Sequence, residues 1–377
     1  MKRFILLVIV VFLGYFSIPL WKEPVQHVPS STWNSIYQTV DQVKEVLDIN
    51  SFLDTLTLRL NSLLEPSNNL QFEPNETTIH APELLIPTEQ FFSIHNIVLG
   101  NSRVEVEKII GDSPKRSTIN EYGINWDVYH ENYQNFIMVA YDDEDIVSGL
   151  YTNQDLIASS TDIRLGSPIQ LVQEQLGNPE AFIKYRLFTY RINRNDEYDI
   201  FHLDNSFVTI FYDQHENNTV TAIKVIDEDL EQNKNAIYSE PSQQLQEGFE
   251  FQLFDLTNAT RRNYDLPLLT WDDHVKETAR RHSLDMAENR YFSHTNLRGQ
   301  SPFERMAEDN IEFTTAGENL AYGQISSIFA HEGLMNSLGH RENILQENFR
   351  NLGVGVAFNN ESQPYFTKKY FSKSRPL

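Results

Sequence analysis

The chain has 377 residues, of which 40% are hydrophobic, so it is long and apolar enough to form two domains with cores. Its 53 acidic and 30 basic residues give a net charge of −23, which excludes nucleic acid as an expected partner and disfavours anionic lipids or wall polymers unless a cation bridges. The absence of cysteine excludes disulfides, cysteine nucleophiles and cysteine-bound metals, and it suits an exported protein of a Gram-positive bacterium.

The N-terminus has the pattern of an export signal. Lys2 and Arg3 precede an uncharged, mostly apolar run over residues 4–20, which is just long enough to span a membrane. The first alanine is Ala81, so the alanine that usually marks a cleavage site is missing. We therefore predict an uncleaved signal anchor over residues 1–21, with the bulk of the chain outside the membrane. Secretion after signal cleavage is the alternative.

Residues 22–90 are predicted to form a juxtamembrane helix and a linker. Apolar residues recur every three or four positions from Ile36 to Leu63, which is the period of a helix. Pro66 ends this pattern, and further prolines follow among Asn, Glu and Thr residues. Such a composition is typical of an extended linker.

Residues 91–235 contain an internal duplication. In each copy a short helical stretch lies between two glycines, Gly100 and Gly111 in the first copy and Gly166 and Gly177 in the second. A proline follows soon after each second glycine, which is a helix stop signal. β-rich segments come next, at residues 136–141 in the first copy, and at residues 207–212 and 219–226 in the second. We predict two packed α+β units, each a helix followed by a small antiparallel sheet, that act in binding or scaffolding.

Residues 249–377 are predicted to form a second α+β domain. Helices are expected over residues 249–264, after Trp271, near residues 303–306 and over residues 326–338. Two strands, residues 352–358 and 365–371, then form a hairpin. His282 lies on the apolar face of the second helix and is expected to be packed and hydrogen-bonded.

Three sequence phrases in this domain carry its chemistry. They are Phe292-Ser293-His294, then Ala316-Gly317-Glu318-Asn319-Leu320-Ala321, then Ser337-Leu338-Gly339-His340-Arg341-Glu342-Asn343-Ile344-Leu345. Imidazole and carboxylate groups bind zinc-like metals or exchange protons near neutral pH. The order and wording of the phrases resemble the bacterial branch of the CAP superfamily, named for cysteine-rich secretory proteins, antigen five and pathogenesis-related proteins. The resemblance implies an αβα sandwich, and the duplicated region resembles the CAP-associated domain that often precedes it.

The resemblance also implies a site. In the family, two histidines and two glutamates line a central cavity, and His294, Glu318 and His340 match three of them. The second glutamate falls near Ser337, so this chain is expected to lack it, with Glu332 as a weaker substitute on another helix face. The three remaining groups would hold zinc, another divalent cation or a small ligand. A three-ligand metal would keep an open coordination position, as in catalytic zinc sites.

We therefore expect an extracellular, membrane-anchored binding protein of the cell envelope, rather than an enzyme, whose ligand is a divalent metal, a wall component, a lipid or a peptide. A hydrolase of peptide or ester bonds is one alternative. It would use metal-bound water, or Ser293 or Ser337 as a nucleophile beside a histidine and Glu318. The sequence has neither a His-Glu-x-x-His helix nor a Gly-x-Ser-x-Gly elbow, which weighs against it. A purely structural assembly protein is the other alternative.

Overall fold

The computed structural model describes residues 81–111, 113–185, 187–192 and 196–373. The predicted signal anchor, the juxtamembrane helix and most of the linker lie outside these residues. Among the described residues, no helix combines the length and the hydropathy needed to cross a bilayer.

The N-terminal half of the described chain is mainly β-structure. Its elements are β1 (Phe92–Ile94), α1 (Arg103–Ile110), β2 (Arg116–Ile119), β3 (Asn125–Glu131), β4 (Gln134–Tyr141), β5 (Val147–Thr152), β6 (Ile157–Ser159), α2 (Ile169–Leu176), β7 (Phe182–Lys184), β8 (Thr189–Arg191), β9 (Tyr198–Leu203), β10 (Ser206–Asp213), β11 (Thr219–Asp227) and α3 (Glu228–Gln232). The helices α1 and α2 end at Gly111 and Gly177, whose φ angles are 79° and 80°. Glycine adopts a positive φ without strain, so both predicted helix stops are confirmed.

The two copies of the duplication share one sheet. Seven antiparallel strands lie in the order β2-β3-β4-β5-β11-β10-β9, and the pair β5–β11 joins the copies at the middle. The prediction of a separate small sheet in each copy is therefore wrong. The last strand of each copy, β5 or β11, pairs with the preceding strand on one side only. When β5 and β11 pair with each other, the backbone groups on their other sides also form hydrogen bonds.

This sheet is buried on both faces. On one face, Val106 of α1 and Val172 of α2 pack in the cluster that covers it. On the other face, Trp126 and Phe211 pack in one hydrophobic cluster with residues from helices of the C-terminal domain. Phe329 is one of these helical residues. The duplicated domain and the C-terminal domain thus share a continuous hydrophobic core.

The C-terminal domain is an αβα sandwich, as predicted. Its elements are α4 (Gln243–Asn263), β12 (Thr270–Trp271), α5 (Asp273–Asn289), α6 (Pro302–Glu308), β13 (Phe313–Tyr322), α7 (Ser327–Asn336), α8 (Leu338–Ile344), β14 (Asn351–Phe358) and β15 (Pro364–Lys373). The strands form one mixed sheet in the order β12-β14-β15-β13. Residues of α5 and α6 pack on one face, and residues of α4, α7 and α8 pack on the other.

Two glycines let α5 lie directly on β14. A Cβ atom on Gly353 would overlap the backbone of Lys276, and one on Gly355 would overlap the backbone of Arg280. This close approach fixes α5, and with it the loop that carries His294.

Two helix boundaries differ from the sequence prediction. The helix α4 begins earlier than residue 249, because the Ser242 hydroxyl caps it by accepting from the Leu245 amide. The helix predicted over residues 326–338 is interrupted at Ser337, whose extended backbone (φ −94°, ψ 116°) separates α7 from α8.

Candidate functional site

Glu318 lies near the middle of the edge strand β13. Because side chains alternate along a strand, Glu318 faces α5 and α6, whereas Asn319 faces α4, α7 and α8. The Glu318 side chain is only 1% exposed, and its partner across the sheet is Lys369 of β15. A carboxylate is thus placed inside the sandwich, where it needs charged or polar partners.

Three side chains supply those partners. Arg305 of α6 donates through one terminal nitrogen to both oxygens of Glu318, at 3.0 and 2.8 Å, and Lys369 donates to Oε2 at 2.6 Å. His294 lies 3.0 Å from Oε1 through its Nδ1 atom. Burial alone would raise the pKa of Glu318, but Lys369, His294 and Arg305 hold it well below its usual range. Burial lowers the pKa of Lys369 to about 8, so both members of this ion pair are charged at neutral pH.

His294 is the solvent-exposed member of the group. It lies in the loop after α5, and 29% of its side chain is exposed. Its backbone carbonyl accepts a 2.7 Å hydrogen bond from Arg305. Arg305 therefore holds both the His294 loop and the Glu318 carboxylate in position. Because an ionised carboxylate only accepts, Nδ1 of His294 must carry the proton, and Nε2 of the neutral ring is left as an acceptor.

His282 also holds this loop, through a hydrogen bond to the residue before His294. It is buried on α5, and burial lowers its pKa to about 4, so the ring is neutral. Its Nε2 atom lies 3.0 Å from the carbonyl of Ser293 and donates to it. The prediction that His282 is packed and hydrogen-bonded is confirmed.

His340 and Ser337 pair with each other. Nδ1 of His340 lies 2.8 Å from Oγ of Ser337, one helical turn away. The carbonyl of His340 accepts from the side chain of Asn319, which points away from Glu318 across β13. The structure thus joins His294 to Glu318, and it links the side chain of His340 to Ser337.

Two family models match this chain. Residues 254–370 match the cysteine-rich secretory protein family, CAP, and residues 99–237 match the CAP-associated N-terminal domain. The chain is a bacterial CAP-superfamily protein with an N-terminal CAP-associated domain. The fold and the family predicted from the three phrases are therefore confirmed.

Relatives and solved structures agree with this assignment. The chain is 27% identical over 340 residues to the uncharacterized membrane protein YlbC of Bacillus subtilis (strain 168), which covers 84% of this chain and 94% of YlbC. Over 125 residues this chain is also 38% identical to the uncharacterized protein YkwD of the same strain, which is 33% of this chain and 48% of YkwD.

Two crystal structures show the same fold. One is an extracellular protein containing a SCP domain from Bacillus anthracis, with a TM-score of 0.63 and 24% identity, covering 79% of this chain and 99% of that one. The other is a cysteine-rich secretory protein from Staphylococcus aureus, with a TM-score of 0.57 and 18% identity, covering 73% and 94%.

Glu332, the weaker site candidate, lies at the contact between the CAP domain and the CAP-associated domain. It accepts a 2.6 Å hydrogen bond from the hydroxyl of Tyr151 on β5, and burial raises its pKa to about 7. Close by, Arg341 of α8 forms a 2.7 Å ion pair with Asp213 of β10. The Glu332–Tyr151 hydrogen bond and the Arg341–Asp213 ion pair thus connect the two domains.

As arranged, these residues do not fit a divalent cation. In the described part of the chain, no three histidine, aspartate or glutamate side chains are grouped so as to hold a metal. A divalent ion about 4 Å from Arg305 or Lys369 would be repelled by about 8 kcal/mol from each at an effective dielectric constant of about 20. Zinc at His294, Glu318 and His340 thus stays a prediction that the geometry does not favour.

Arg305 and Lys369 are the site residues that the sequence reasoning missed. A signal for Lys369 was present, because Lys368 and Lys369 are adjacent in a predicted strand, and alternation must turn one of them toward each face. Both are fully buried. No sequence pattern in the short helix around Arg305 indicated that this side chain would point into the sandwich.

Proposed function

We propose that the protein is an extracellular binding protein, held at the membrane by residues 1–21, whose CAP domain contacts a component of the cell envelope through His294. The observation that carries the proposal is the His294–Glu318 pair, in which a buried, ionised carboxylate orients a partly exposed imidazole. Such a pair is preorganised, so a ligand that donates a hydrogen bond to Nε2 meets an acceptor that is already in place. Wall glycan, wall peptide and lipid headgroups all carry suitable hydroxyl or amide donors.

The anchored, extracellular location rests on the sequence of residues 1–20 and on two relatives. YlbC is named a membrane protein, and the Bacillus anthracis structure is described as extracellular. Protease treatment of intact cells, with a tag at the C-terminus, tests the location. We expect the tag to be removed from intact cells and the N-terminal fragment to stay with the membrane.

Binding is tested by sedimentation of the purified protein with isolated cell walls and, separately, with membrane vesicles. We expect His294→Ala to weaken binding roughly 5- to 100-fold, the usual range for one lost hydrogen bond to a fixed group. His274→Ala is the matched control, because His274 is exposed on α5 outside the site. Equal sedimentation of both variants and the wild type would instead support a purely structural role.

A hydrolase is the second candidate function, and the His340–Ser337 contact favours it. When Nδ1 of His340 is unprotonated, it accepts the proton of the Ser337 hydroxyl, which is the first requirement of a serine nucleophile. Labelling with a fluorophosphonate tests this candidate. Label on the wild type that is lost in Ser337→Ala and in His340→Ala would support a hydrolase, and an unlabelled wild type would leave the binding role.

A further inference from the structure

The hydrogen bonds to Glu318 indicate which cations the site is built to hold. A carboxylate offers about four lone-pair positions in its plane. Here His294 and Arg305 reach Oε1, and Arg305 and Lys369 reach Oε2, so four contacts between 2.6 and 3.0 Å occupy the group. No position on Glu318 is left for a further ligand unless one of these contacts breaks.

The two cations are fixed by contacts of their own. The other terminal nitrogen of Arg305 donates to the carbonyls of His294 and Gln300, at 2.7 and 2.9 Å. Lys369 also donates to the carbonyl of Pro302 at 3.3 Å, and its side chain is fully buried in the middle of the domain. Neither group can therefore leave Glu318 for the solvent without breaking further hydrogen bonds.

The charge balance points the same way. At neutral pH the two positive charges of Arg305 and Lys369 face the single negative charge of Glu318, so the group has an excess of positive charge. Sites for hard or borderline divalent metals have the opposite balance, because carboxylates and neutral imidazoles surround the ion.

We infer that Arg305 and Lys369 are the resident cations of this CAP domain and hold the side of Glu318 that a divalent metal would occupy. The His294–Glu318 pair then keeps its geometry without any metal. This inference rests on the same His294 site as the proposed function, but it concerns how the site is held, whichever ligand binds there.

Zinc titration of the purified full-length protein tests the inference directly. We expect no zinc binding that depends on His294, and an unchanged melting temperature after zinc or EDTA is added. Stoichiometric zinc binding to the wild type that disappears in His294→Ala, with a matching loss of the zinc-induced rise in melting temperature, would overturn it. Loss of envelope binding is a separate readout, so the two proposals fail independently.

Removing one resident cation is the complementary test. Lys369→Met should bind zinc at least roughly ten-fold more tightly than the wild type, and His294→Ala in the same background should abolish the gain. Lys368→Met is the matched control, because it makes the same substitution at the preceding residue, whose side chain lies on the opposite face of the sheet. Equal zinc affinity of Lys369→Met and the wild type would contradict the inference. If Lys369→Met does not fold, the wild-type titration decides alone.

Discussion

Lys368 is buried at a cost that can be measured. It lies on β15 beside Lys369 but faces α4 and α7, where it is fully buried. Among the described residues its ammonium group has no hydrogen-bond partner, and it sits 5.6 Å from the centre of the Tyr370 ring. Burial lowers the pKa of Lys368 from 10.5 to about 7. We therefore predict that Lys368→Met, which keeps the length of the side chain, stabilises the protein at neutral pH.

The lowered pKa of Lys368 sets the size and the sign of the stability change that Lys368→Met should cause. Between about pH 7 and pH 10.5 the unfolded chain binds a proton that the folded protein has lost, so wild-type stability rises with pH across that window. Below pH 7 both states are protonated, and the full cost is present. At about 1.4 kcal/mol per pKa unit this cost is at most about 5 kcal/mol. Lys368→Met should recover about 2–5 kcal/mol at pH 7 and almost nothing near pH 10.5.

Denaturant unfolding of the wild type and Lys368→Met at several pH values between about 6 and 10 measures this difference. Lys184→Met is the control, because Lys184 is exposed on β7 and its removal should change stability little at any pH. The reasoning is refuted if Lys368→Met is no more stable than the wild type at pH 7. It is also refuted if the gain is the same at pH 6 and pH 10.

Three further predictions concern stability and are checked by the same unfolding measurements. Glu318→Gln leaves two buried cations without their counter-charge, so it should cost about 3–5 kcal/mol, and a loss below about 1 kcal/mol would contradict the ion-pair account. Burial raises the pKa of Glu332 to about 7, so the folded protein holds a proton that the unfolded chain has lost between about pH 4.5 and 7, and wild-type stability should fall with rising pH. Glu332→Gln should remove about 3 kcal/mol of this loss of stability between about pH 4.5 and 7, and an unchanged pH dependence would refute the assignment. Gly355→Ala should cost at least about 3 kcal/mol because its Cβ overlaps α5, whereas Gly333→Ala on α7, with no atom nearer than 3.7 Å, should be neutral or slightly stabilising.

The fold was largely predictable from the sequence. The glycines that end α1 and α2, the alternation of β14 and β15, and the three family phrases are local signals, and each matches the structure. The joined sheet was not predictable in this way, because pairing β5 with β11 is a contact between copies that neither copy encodes alone. Ser337 likewise interrupts a helix that periodicity alone would continue.

The site was predicted in part. The pairing of His294 with Glu318 was expected, and the structure brings these side chains together. His340 was expected to join them, with Glu332 as a weaker substitute for the second glutamate; the structure pairs His340 with Ser337 and Glu332 with Tyr151, and their place in one site stays a prediction. Periodicity places a residue on a face of its helix, whereas the partner it meets depends on the neighbouring domain and on the strand face. The resident cations come from a short helix and a β-hairpin, so only the packed tertiary structure shows them beside Glu318.

The protonation of the His294 ring tests the central claim most directly. Two-bond ¹H–¹⁵N correlation spectra of the wild type, recorded where His294 is neutral, report which ring nitrogen carries the proton. A carboxylate held ionised by Arg305 and Lys369 requires the proton on Nδ1, and Glu318→Gln should shift the population toward Nε2–H. A wild-type ring with its proton on Nε2, unaffected by Glu318→Gln, would contradict the account.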